Sequence, residues 1–357
     1  MKKKICVVGP CLNMGGIERA SSTIADFCAE KGHDVLYLAI FKHPKFFKLH
    51  PEIRYDEPLD GSNVTSLNLF KTISRIRSVV KSYNPDSILA FNKLYAGLTL
   101  IATIGLRKKV FISERSSPLY KWPKKMELIN LFAFAVHPPA GIIAQTQIAA
   151  AYQQKKVSKN TRIAIIPNAL REVRFYPEIA RENWILAVGR LDDHLKGFDL
   201  LIEAYAKCRN KNWKLVFAGG DENGAHLKKK AGESGIPDNI IFLGKVENID
   251  AVYAQASIFV IPSRSEGFPN ALCEAMAAGL ACVSFDFVAG PRDIISDGTD
   301  GVIVQMGNTD AMAAAIDELI ENPSQRSTMG EKAKRIAQRL NTEKIGKQYL
   351  DFILCPS

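Results

Sequence analysis

The stretch Ser263-Arg264-Ser265-Glu266-Gly267-Phe268-Pro269-Asn270-Ala271-Leu272-Cys273-Glu274 is the part of this chain that decides its fold. The continuous apolar run 258–262 precedes it, and the helix-forming run 271–278 overlaps its end. This order is typical of a buried strand, a tight loop at the carboxyl end of that strand, and the amino end of a helix. Because ligands of open α/β sheets bind at the carboxyl ends of strands, the stretch also predicts a binding site.

Two glutamates, Glu266 and Glu274, stand eight positions apart in this stretch. We expect Glu266 to lie in the loop and Glu274 about one turn into the helix, so that both carboxylates face one crevice. Carboxylates accept strong hydrogen bonds from hydroxyl groups, which suits a sugar or a ribose as ligand. Glutamates on a helix surface are usually only solvated, but the position of Glu266 directly after a buried strand favours a binding role.

Strand and helix signals alternate along the rest of the chain, which predicts a parallel, doubly wound α/β fold. Strands are predicted at 5–9, 34–40, 87–91, 110–113, 141–144, 163–168, 184–188, 213–218, 240–243, 257–262, 281–285 and 301–304. Helices are predicted at 16–30, 67–83, 92–104, 198–208, 225–233, 248–256, 270–279, 309–321, 324–339 and 344–354.

The length of 357 residues favours two domains over one. The polar stretch 169–182, with Pro177 near its middle, is the predicted linker. We therefore expect two Rossmann-like domains, residues 1–170 and 171–340, that face each other across a cleft. The final segment, residues 341–357, is expected to be a helix.

Charge is distributed unevenly between the two predicted domains. Residues 1–170 hold 25 lysines and arginines against 11 aspartates and glutamates, a net charge of +14, whereas residues 171–357 hold 22 against 26, a net charge of −4. The two domains are therefore expected to meet different partners. Nucleic acid is a poor explanation, because no zinc-finger, helix-turn-helix or RNP motif is present.

Segments that would place the chain in or across a membrane are not expected. The longest apolar run, 128–136, is shorter than the roughly 20 residues that span a bilayer. The apolar run after the basic start, 5–8, is too short for a signal peptide. Seven cysteines without a C-x-x-C pair fit a reduced, cytoplasmic compartment.

Three more polar loops follow predicted strands. Gly15 and Gly16 begin the first helix, in the run Gly9 to Arg19 that also contains Glu18, and their exposed N–H groups favour an anion. Arg190 and Lys196 stand six positions apart in the loop after strand 184–188, where two cations would offset the charge of a diphosphate. The third loop carries Glu114 and Arg115, after strand 110–113, and is expected to project into the same cleft. Each loop could instead be an ordinary solvated turn.

With these loops the chain resembles the retaining, nucleotide-sugar-dependent glycosyltransferases of family 4, which have the GT-B fold. The matching features are Gly15-Gly16, Asn168, Gly189-Arg190, Lys196-Gly197, the Gly244 turn, and Glu266 with Glu274. The finer patterns Gly-Gly-Ile-Glu-Arg and Gly-Lys-Val-Glu-Asn are most similar to bacterial enzymes that extend lipid-linked oligosaccharides with N-acetylgalactosamine. The resemblance covers nearly the whole chain and implies that helix 341–357 crosses back to the first domain.

The resemblance also implies a role for each site residue. Arg190 and Lys196 would hold the donor diphosphate with the N–H groups of Gly15 and Gly16, and Glu274 would bind the ribose. The transferred sugar would be held by the loop residues Glu266, Gly267, Phe268, Pro269 and Asn270, and the base would lie near Lys245 and Val246. Glu18, Glu114 and Arg115 would lie on the acceptor side.

No metal or other cofactor is expected, because the chain contains no D-x-D sequence and two cations can neutralise the diphosphate. The implied reaction retains the anomeric configuration without a protein nucleophile. Many relatives carry a histidine in the loop that here holds Arg115, an arginine that cannot act as a base but can bind an anion. The donor base implied by the resemblance is uridine.

The acceptor implied by the resemblance is a glycan or a lipid-diphosphate-linked saccharide, bound by the basic first domain. Basic residues lie along the predicted helix 67–83 and in two runs, 107–109 and 121–125, the second of them beside the apolar run 128–134. This combination suits an anionic membrane surface and predicts a peripheral position at the inner face of the cell membrane. Two other functions fit the same architecture, a non-hydrolysing nucleotide-sugar epimerase and a non-catalytic nucleotide-sugar binder. A dehydrogenase is disfavoured, because G-x-G-x-x-G is missing.

Overall fold

The computed structural model describes residues 1–59, 69–159, 161–220, 224–288 and 290–355. The chain forms two compact units. The first unit is Met1–Ala169 together with Thr342–Ser357, and the second is Leu170–Asn341. The predicted fold class is confirmed, because each unit is built on a parallel sheet covered by helices.

The strands of the two sheets are short, and those inside each sheet are mostly buried, whereas the edge strands β3, β7, β10 and β13 are partly exposed. In the first unit they are β1 Lys4–Gly9, β2 Asp34–Ala39, β3 Arg54–Asp56, β4 Ser87–Phe91, β5 Val110–Ser113, β6 Gly141–Ala144 and β7 Arg162–Ile165. In the second unit they are β8 Trp184–Val188, β9 Lys214–Ala218, β10 Ile240–Gly244, β11 Ile258–Ile261, β12 Ala281–Phe285 and β13 Val302–Val304.

The helices that cover these sheets follow the predicted order. They are α1 Gly16–Glu30, α2 Leu69–Tyr83, α3 Lys93–Thr103, α4 Lys124–Val136, α5 Gln147–Gln154, α6 Phe198–Lys207, α7 Ala225–Glu233, α8 Ile249–Gln255, α9 Asn270–Ala277, α10 Thr309–Glu321, α11 Pro323–Ala333, α12 Ile336–Arg339 and α13 Thr342–Leu354. A short 3-10 helix, His194–Lys196, precedes α6.

The order of the strands places the loops that matter. Within the described residues, the first sheet has the order β3-β2-β1-β4-β5-β6-β7 and the second has the order β10-β9-β8-β11-β12-β13. In the first sheet the chain adds β2 and β3 on one side of β1 and then adds β4 to β7 on the other side. In the second sheet it adds β9 and β10 on one side of β8 and then adds β11 to β13 on the other. The order of the strands therefore reverses between β1 and β4 and between β8 and β11. Loops diverge at such a switch point and leave a crevice at the carboxyl ends of the two central strands.

Burial on both faces explains why these strands read as continuous apolar runs. All four residues of β11 are buried, and so are the five of β4 and of β12. In the first unit α3 packs against the sheet and α2 and α4 pack on α3, and their apolar residues complete a core that includes Ile76, Leu98 and Ala133. Such cores hold the strand ends, and with them the polar loops, in fixed positions.

The last helix, α13, lies in the first unit, where it packs on α1. Gly346 permits this contact, because a Cβ at that position would overlap the ring of Phe27. Tyr349 is fully buried and stacks on Phe91, with 6.3 Å between the ring centroids. The carboxyl-terminal end of the described chain is therefore part of the core of the first unit.

The structure differs from the sequence predictions at a few elements. It contains β3, which is an edge strand without an apolar run, and the helices α4 and α5, none of which was predicted. The predicted helix 324–339 is divided into α11 and α12. The predicted start of the helix 67–83 lies at residues 67 and 68, outside the described residues.

Candidate active site

Two loops meet at the carboxyl ends of β8 and β11, the switch point of the second unit. The backbone N–H of Arg264 donates to the carbonyl of Leu195, at 2.7 Å. The Arg264 guanidinium donates to both carboxylate oxygens of Asp199, each at 2.6 Å, and to the carbonyl of His194, at 3.0 Å. Because two parallel N–H···O bonds fix orientation as well as distance, this pair holds the loop after β11 against the start of α6.

The charge of Arg264 also determines the ionisation of Asp199. Burial acts to raise the pKa of Asp199, but the hydrogen bonds and the charge of Arg264 outweigh it, so this pKa lies below its ordinary value. The carboxylate is therefore ionised throughout the neutral range, and the link between the two loops persists there.

Gly197 allows the closest approach of these two loops. It is left-handed, with φ of 66°, and a Cβ at this position would overlap the carbonyl oxygen of Pro262. Glycine adopts this conformation without a steric penalty. Backbone geometry thus explains why a glycine follows Lys196.

Replacing Gly197 by alanine is expected to destabilise the second unit by about 2 kcal/mol, because strain at positive φ and a backbone overlap both oppose folding. Chemical denaturation of the full chain measures this loss. Gly232→Ala is the matched control, since Gly232 lies within α7 and a Cβ there meets nothing within 4 Å. Equal stability of the two variants would contradict the assigned strain.

Lys196 and Glu266 form an ion pair across the two loops. The Lys196 Nζ lies 2.8 Å from the Oε1 of Glu266, and the two side chains are 22% and 12% exposed. The Ser263 hydroxyl donates to the same oxygen, at 2.7 Å. The other carboxylate oxygen of Glu266 makes neither of these contacts. The structure thus brings together two of the three residues predicted to be catalytic.

Arg190, the third of these residues, points to its own loop. Its guanidinium lies 2.6 Å from the Oδ2 of Asp193, and its side chain is 74% exposed. The hydrogen bond that Arg190 donates to Asp193 is the largest contribution to the raised pKa of Arg190, and the charge of Glu266 adds to it. Arg190 is therefore an exposed cation within electrostatic range of the pair, whereas Lys196 is largely buried.

Glu274 is buried on α9, in a network that the sequence analysis did not anticipate. The Arg171 Nη2 lies 3.2 Å from the Oε2 of Glu274, and the Tyr253 hydroxyl lies 3.4 Å from the same oxygen. Arg171 also pairs with both oxygens of Asp250, and the backbone N–H of Arg174 donates to Asp250 at 3.0 Å. Arg171 thus fixes the orientation of the Glu274 carboxylate.

Arg171 was missed because its role depends on partners 79 and 103 positions further along the chain. The one signal in the sequence is that Arg171 lies three residues after Asn168, a residue that matches the pattern of the family. Ser263 and Arg264 were quoted in the deciding stretch without a role, and both prove to fix the loop that contains Glu266.

The residues between the two glutamates form the amino end of α9. Phe268 and Pro269 are buried, and the first backbone bonds of this turn run from Asn270 to Phe268 and from Leu272 to Pro269. The Pro269 cap position has no side-chain capping bond. Val246 is half-buried and follows Gly244, whose φ is 65°. These positions belong to loops that begin at the carboxyl ends of β11 and β10.

In the first unit, Gly15 and Gly16 begin α1 at the switch-point side of β1. Gly15 is the N-cap, with extended backbone, and the Glu18 carboxylate folds back over it, so that a Cβ on Gly15 would overlap a Glu18 oxygen. Burial raises the pKa of Glu18, an effect that its own backbone hydrogen bond partly offsets. Gly16 is exposed, and Glu18 covers the glycine beside it.

Glu114 and Arg115 are both buried at the end of β5. The Glu114 Oε1 accepts the backbone N–H groups of Arg115 and Ser116, each at 2.9 Å, although burial raises the pKa of this carboxyl. The Arg115 guanidinium donates to Asn168 and to the Tyr349 hydroxyl. Arg115 therefore ties the loop after β5 to the last helix of its own unit.

The aromatic side chains around Arg115 complete this arrangement. Its guanidinium carbon lies 5.0 Å from the ring centroid of Phe91 and 5.8 Å from that of Tyr349. Burial lowers the pKa of the guanidinium, and its Nε is buried without a hydrogen-bond partner among the described residues. The predicted role of Arg115, contact with a phosphate of the donor or the acceptor, stays a prediction, and its observed contacts are structural.

Two parallel α/β units, each with polar loops at its switch point, form the GT-B fold that was predicted from the sequence, a fold of glycosyltransferases. Comparison with known proteins supports this class directly. Residues 171–336 match the family model for glycosyl transferases group 1. The chain is a glycosyltransferase, and the residues that match the group 1 model lie within its second unit.

Relatives along the whole chain belong to the same class. The chain is 26% identical to an uncharacterized glycosyltransferase of Haemophilus influenzae, over 94% of this chain and 95% of that protein. It is 27% identical, over 98% of each chain, to a Campylobacter jejuni α-1,4-N-acetyl-D-galactosaminyltransferase named for an undecaprenol-diphosphate-linked saccharide. The fold is similar to that of HepE from Anabaena, with a TM-score of 0.81, 18% identity and coverage of 99% and 100%. These comparisons favour a transferase over the epimerase and the non-catalytic binder.

Proposed function

We propose that this enzyme transfers a hexose or an N-acetylhexosamine from a UDP-sugar, with retention of configuration, to a lipid-diphosphate-linked or glycan acceptor. The single observation that carries the donor site is the Lys196–Glu266 pair at the switch point of the second unit, beside the amino end of α9. The uridine nucleotide is supported by the solved structures of HepE, which hold UDP and UDP-glucose. The acceptor class is supported by the name of the Campylobacter jejuni relative.

In the proposed pose, every part of the donor, from the base to the sugar, contacts residues of the second unit. The base lies near Val246, and the carboxylate of Glu274 accepts hydrogen bonds from the ribose hydroxyls. Lys196 and Arg190 bind the diphosphate, since two cations offset its charge as a metal would in other enzymes. Glu266, with the loop Gly267 to Asn270, binds the hydroxyls of the transferred sugar.

Donor binding has a defined electrostatic consequence in this pose. A diphosphate offers Lys196 a second anionic partner beside Glu266, and one carboxylate oxygen of Glu266 lies outside the contacts with Lys196 and Ser263. That oxygen can accept a hydrogen bond from a sugar hydroxyl. Gly15 and Gly16, in the first unit, are proposed to donate N–H groups to the diphosphate.

The proposed reaction needs no protein nucleophile. The bond between the anomeric carbon and the diphosphate breaks, while Lys196 and Arg190 stabilise the charge that grows on the leaving oxygen. The acceptor hydroxyl attacks from the same face, and its proton passes to a departing phosphate oxygen. This differs from retaining glycosidases, in which a carboxylate forms a covalent intermediate. Glu266 is therefore assigned to donor binding and not to attack.

The acceptor is proposed to bind to the first unit, at the side of Glu18 and the loop of Glu114 and Arg115. Its lipid moiety would hold the enzyme at the inner face of the cell membrane. Among the described residues, no helix is both long and apolar enough to cross a bilayer. The proposed membrane association is peripheral, as predicted from the sequence.

A thermal-shift screen tests the donor assignment. The purified chain is heated with UDP-, GDP- and ADP-sugars, each with and without EDTA. Because a ligand that binds only the native state raises the melting temperature, we expect a shift of several degrees with one UDP-sugar, unchanged by EDTA. No shift with any nucleotide sugar would contradict the roles of Lys196, Arg190 and Glu274. A shift that EDTA removes would contradict the metal-free diphosphate site.

A further inference from the structure

Helix α4 of the first unit exposes apolar side chains on the face that points away from the core. Its inner face is set by Asn130 and Ala133, which are 1% and 0% exposed, and it packs on α3. The outer face consists of five exposed apolar residues at helical spacing, Leu128, Leu131, Phe132, Ala135 and Val136. The exposed fractions of Leu131 and Phe132 are 69% and 56%. A surface helix normally carries polar residues on this face.

The segment before α4 continues the same surface. Leu119 and Tyr120 are exposed, and the ring of Tyr120 meets that of Trp122 edge-on, with 5.0 Å between the centroids. Tyrosine and tryptophan are enriched where a membrane meets water, because each ring is apolar with one polar group. We call residues 119–136 with these exposed side chains the α4 surface.

Cations border the apolar stripe at its amino-terminal end. Lys121, Lys124 and Lys125 are exposed, and Glu127 is the acidic residue on the first turns of the helix. An anionic surface attracts this group of lysines, whereas a second copy of the chain would bring like charges together. Charge complementarity therefore favours an anionic lipid surface over a self-association interface.

Two of the four basic residues on α2 make contacts within the first unit, which corrects the expectation that all the cations of the helix 67–83 face a partner. On α2, Arg75 pairs with Asp56 and donates to the carbonyl of Ala39. Arg77 donates to the carbonyls of Ala102 and Ile104, at 2.9 and 2.8 Å. These two arginines fasten α2 to its neighbours, and the exposed lysines of that helix are Lys71 and Lys81.

We propose that the α4 surface is the element that inserts into the membrane, with its apolar stripe among the acyl chains and its lysines at the headgroups of anionic lipids. A helix of 13 residues is about 20 Å long, shorter than a bilayer core, and therefore lies in the interface. The inference deepens the proposed membrane-bound acceptor by naming the contact. Its test measures lipid binding and not sugar transfer, so the two proposals fail separately.

Vesicle flotation of the full chain tests this inference. Vesicles of phosphatidylcholine with phosphatidylglycerol are compared with vesicles of phosphatidylcholine alone. We expect the double variant Leu131→Gln with Phe132→Gln to lower the partition coefficient onto the anionic vesicles at least about tenfold. The reason is that two large apolar side chains are no longer transferred from water into the bilayer. Phe175→Gln is the matched control in the second unit, where Phe175 is 71% exposed. Circular dichroism and the melting temperature verify that each variant is folded.

The depth of insertion provides a second measurement. Phosphatidylglycerol with brominated acyl chains is expected to quench the fluorescence of Trp122, and Trp122→Phe is expected to remove that quenching. If the double variant binds vesicles as tightly as the natural chain while Lys121, Lys124 and Lys125 replaced by glutamine abolish binding, adsorption is purely electrostatic and the inference is wrong. The inference is also wrong if the natural chain does not bind vesicles and sediments as a dimer, while the double variant sediments as a monomer. In that case a second copy of the chain covers the α4 surface.

Discussion

Replacement of Lys196 by methionine is expected to lower kcat by about 10²- to 10³-fold, the usual effect of removing one group that stabilises transition-state charge. The Lys196 ammonium is only 22% exposed and is held at 2.8 Å from Glu266, so it approaches a leaving diphosphate without first losing much conformational freedom. Arg190 does not replace it, because its exposed side chain is paired with Asp193. The measurement is the rate of UDP release at saturating donor with an acceptor present.

A matched control and a cycle of variants identify the cause of that loss. Lys229→Met removes a lysine that is 77% exposed in the second unit and is expected to leave kcat unchanged. Glu266→Gln is expected to lower turnover as well, and the double variant to lose less than the product of the two single losses, since residues in one ion pair act as a unit. Full activity of Lys196→Met would refute the assignment of Lys196 to the leaving group.

Replacement of Arg171 by methionine is expected to destabilise the second unit by about 2 kcal/mol or more, because it leaves the buried carboxylates of Asp250 and Glu274 without their cation. The two carboxylates are 13% and 8% exposed. Arg171 is a positioning residue, since it acts on the proposed ribose site through Glu274. Urea denaturation of the full chain measures the loss of stability.

Nucleotide affinity separates positioning from a merely structural role. We expect Arg171→Met to weaken the binding of UDP about tenfold, the effect of misplacing one charged hydrogen-bond acceptor. Binding of a UDP analogue that lacks both ribose hydroxyls is expected to be the same in the natural chain and in the variant. Arg174→Met is the matched control, because only the backbone of Arg174 contacts Asp250. Equal losses for both nucleotides would show that Arg171 does not act through the ribose.

Acid stability follows from the same contact. Burial acts to raise the pKa of Asp250, but the hydrogen bonds and charge of Arg171 outweigh it, and the pKa lies below its ordinary value. The stabilisation of the folded state is therefore present above the pKa of the unfolded chain and is lost as the pH falls through the lower folded value. In Arg171→Met this stabilisation is expected to be absent. The difference in the free energy of unfolding between the natural chain and the variant is therefore expected to narrow as the solution becomes acidic.

The fold was accessible from sequence because its determinants are local. Buried parallel strands such as β4 and β11 are continuous apolar runs, and turns with glycine separate them from helices. Elements without such a pattern were missed: β3 consists of Arg54, Tyr55 and Asp56 and is held by its pairing with β2. A strand of this kind depends on its neighbour for hydrogen bonds and leaves no periodic signal of its own.

The sequence by itself determined the class of the enzyme and the loops that carry the proposed donor site, because strand ends and helix starts can be located from residue order alone. Only the tertiary structure decided which charges face each other. It paired Lys196 with Glu266, turned Arg190 to Asp193, placed Arg171 against Glu274 and placed Arg115 beside two aromatic rings. It also showed that α4 carries its apolar side chains outward. Side chains that are far apart in sequence meet only after the strands are ordered in the sheet, and their electrostatic partners are fixed by that packing.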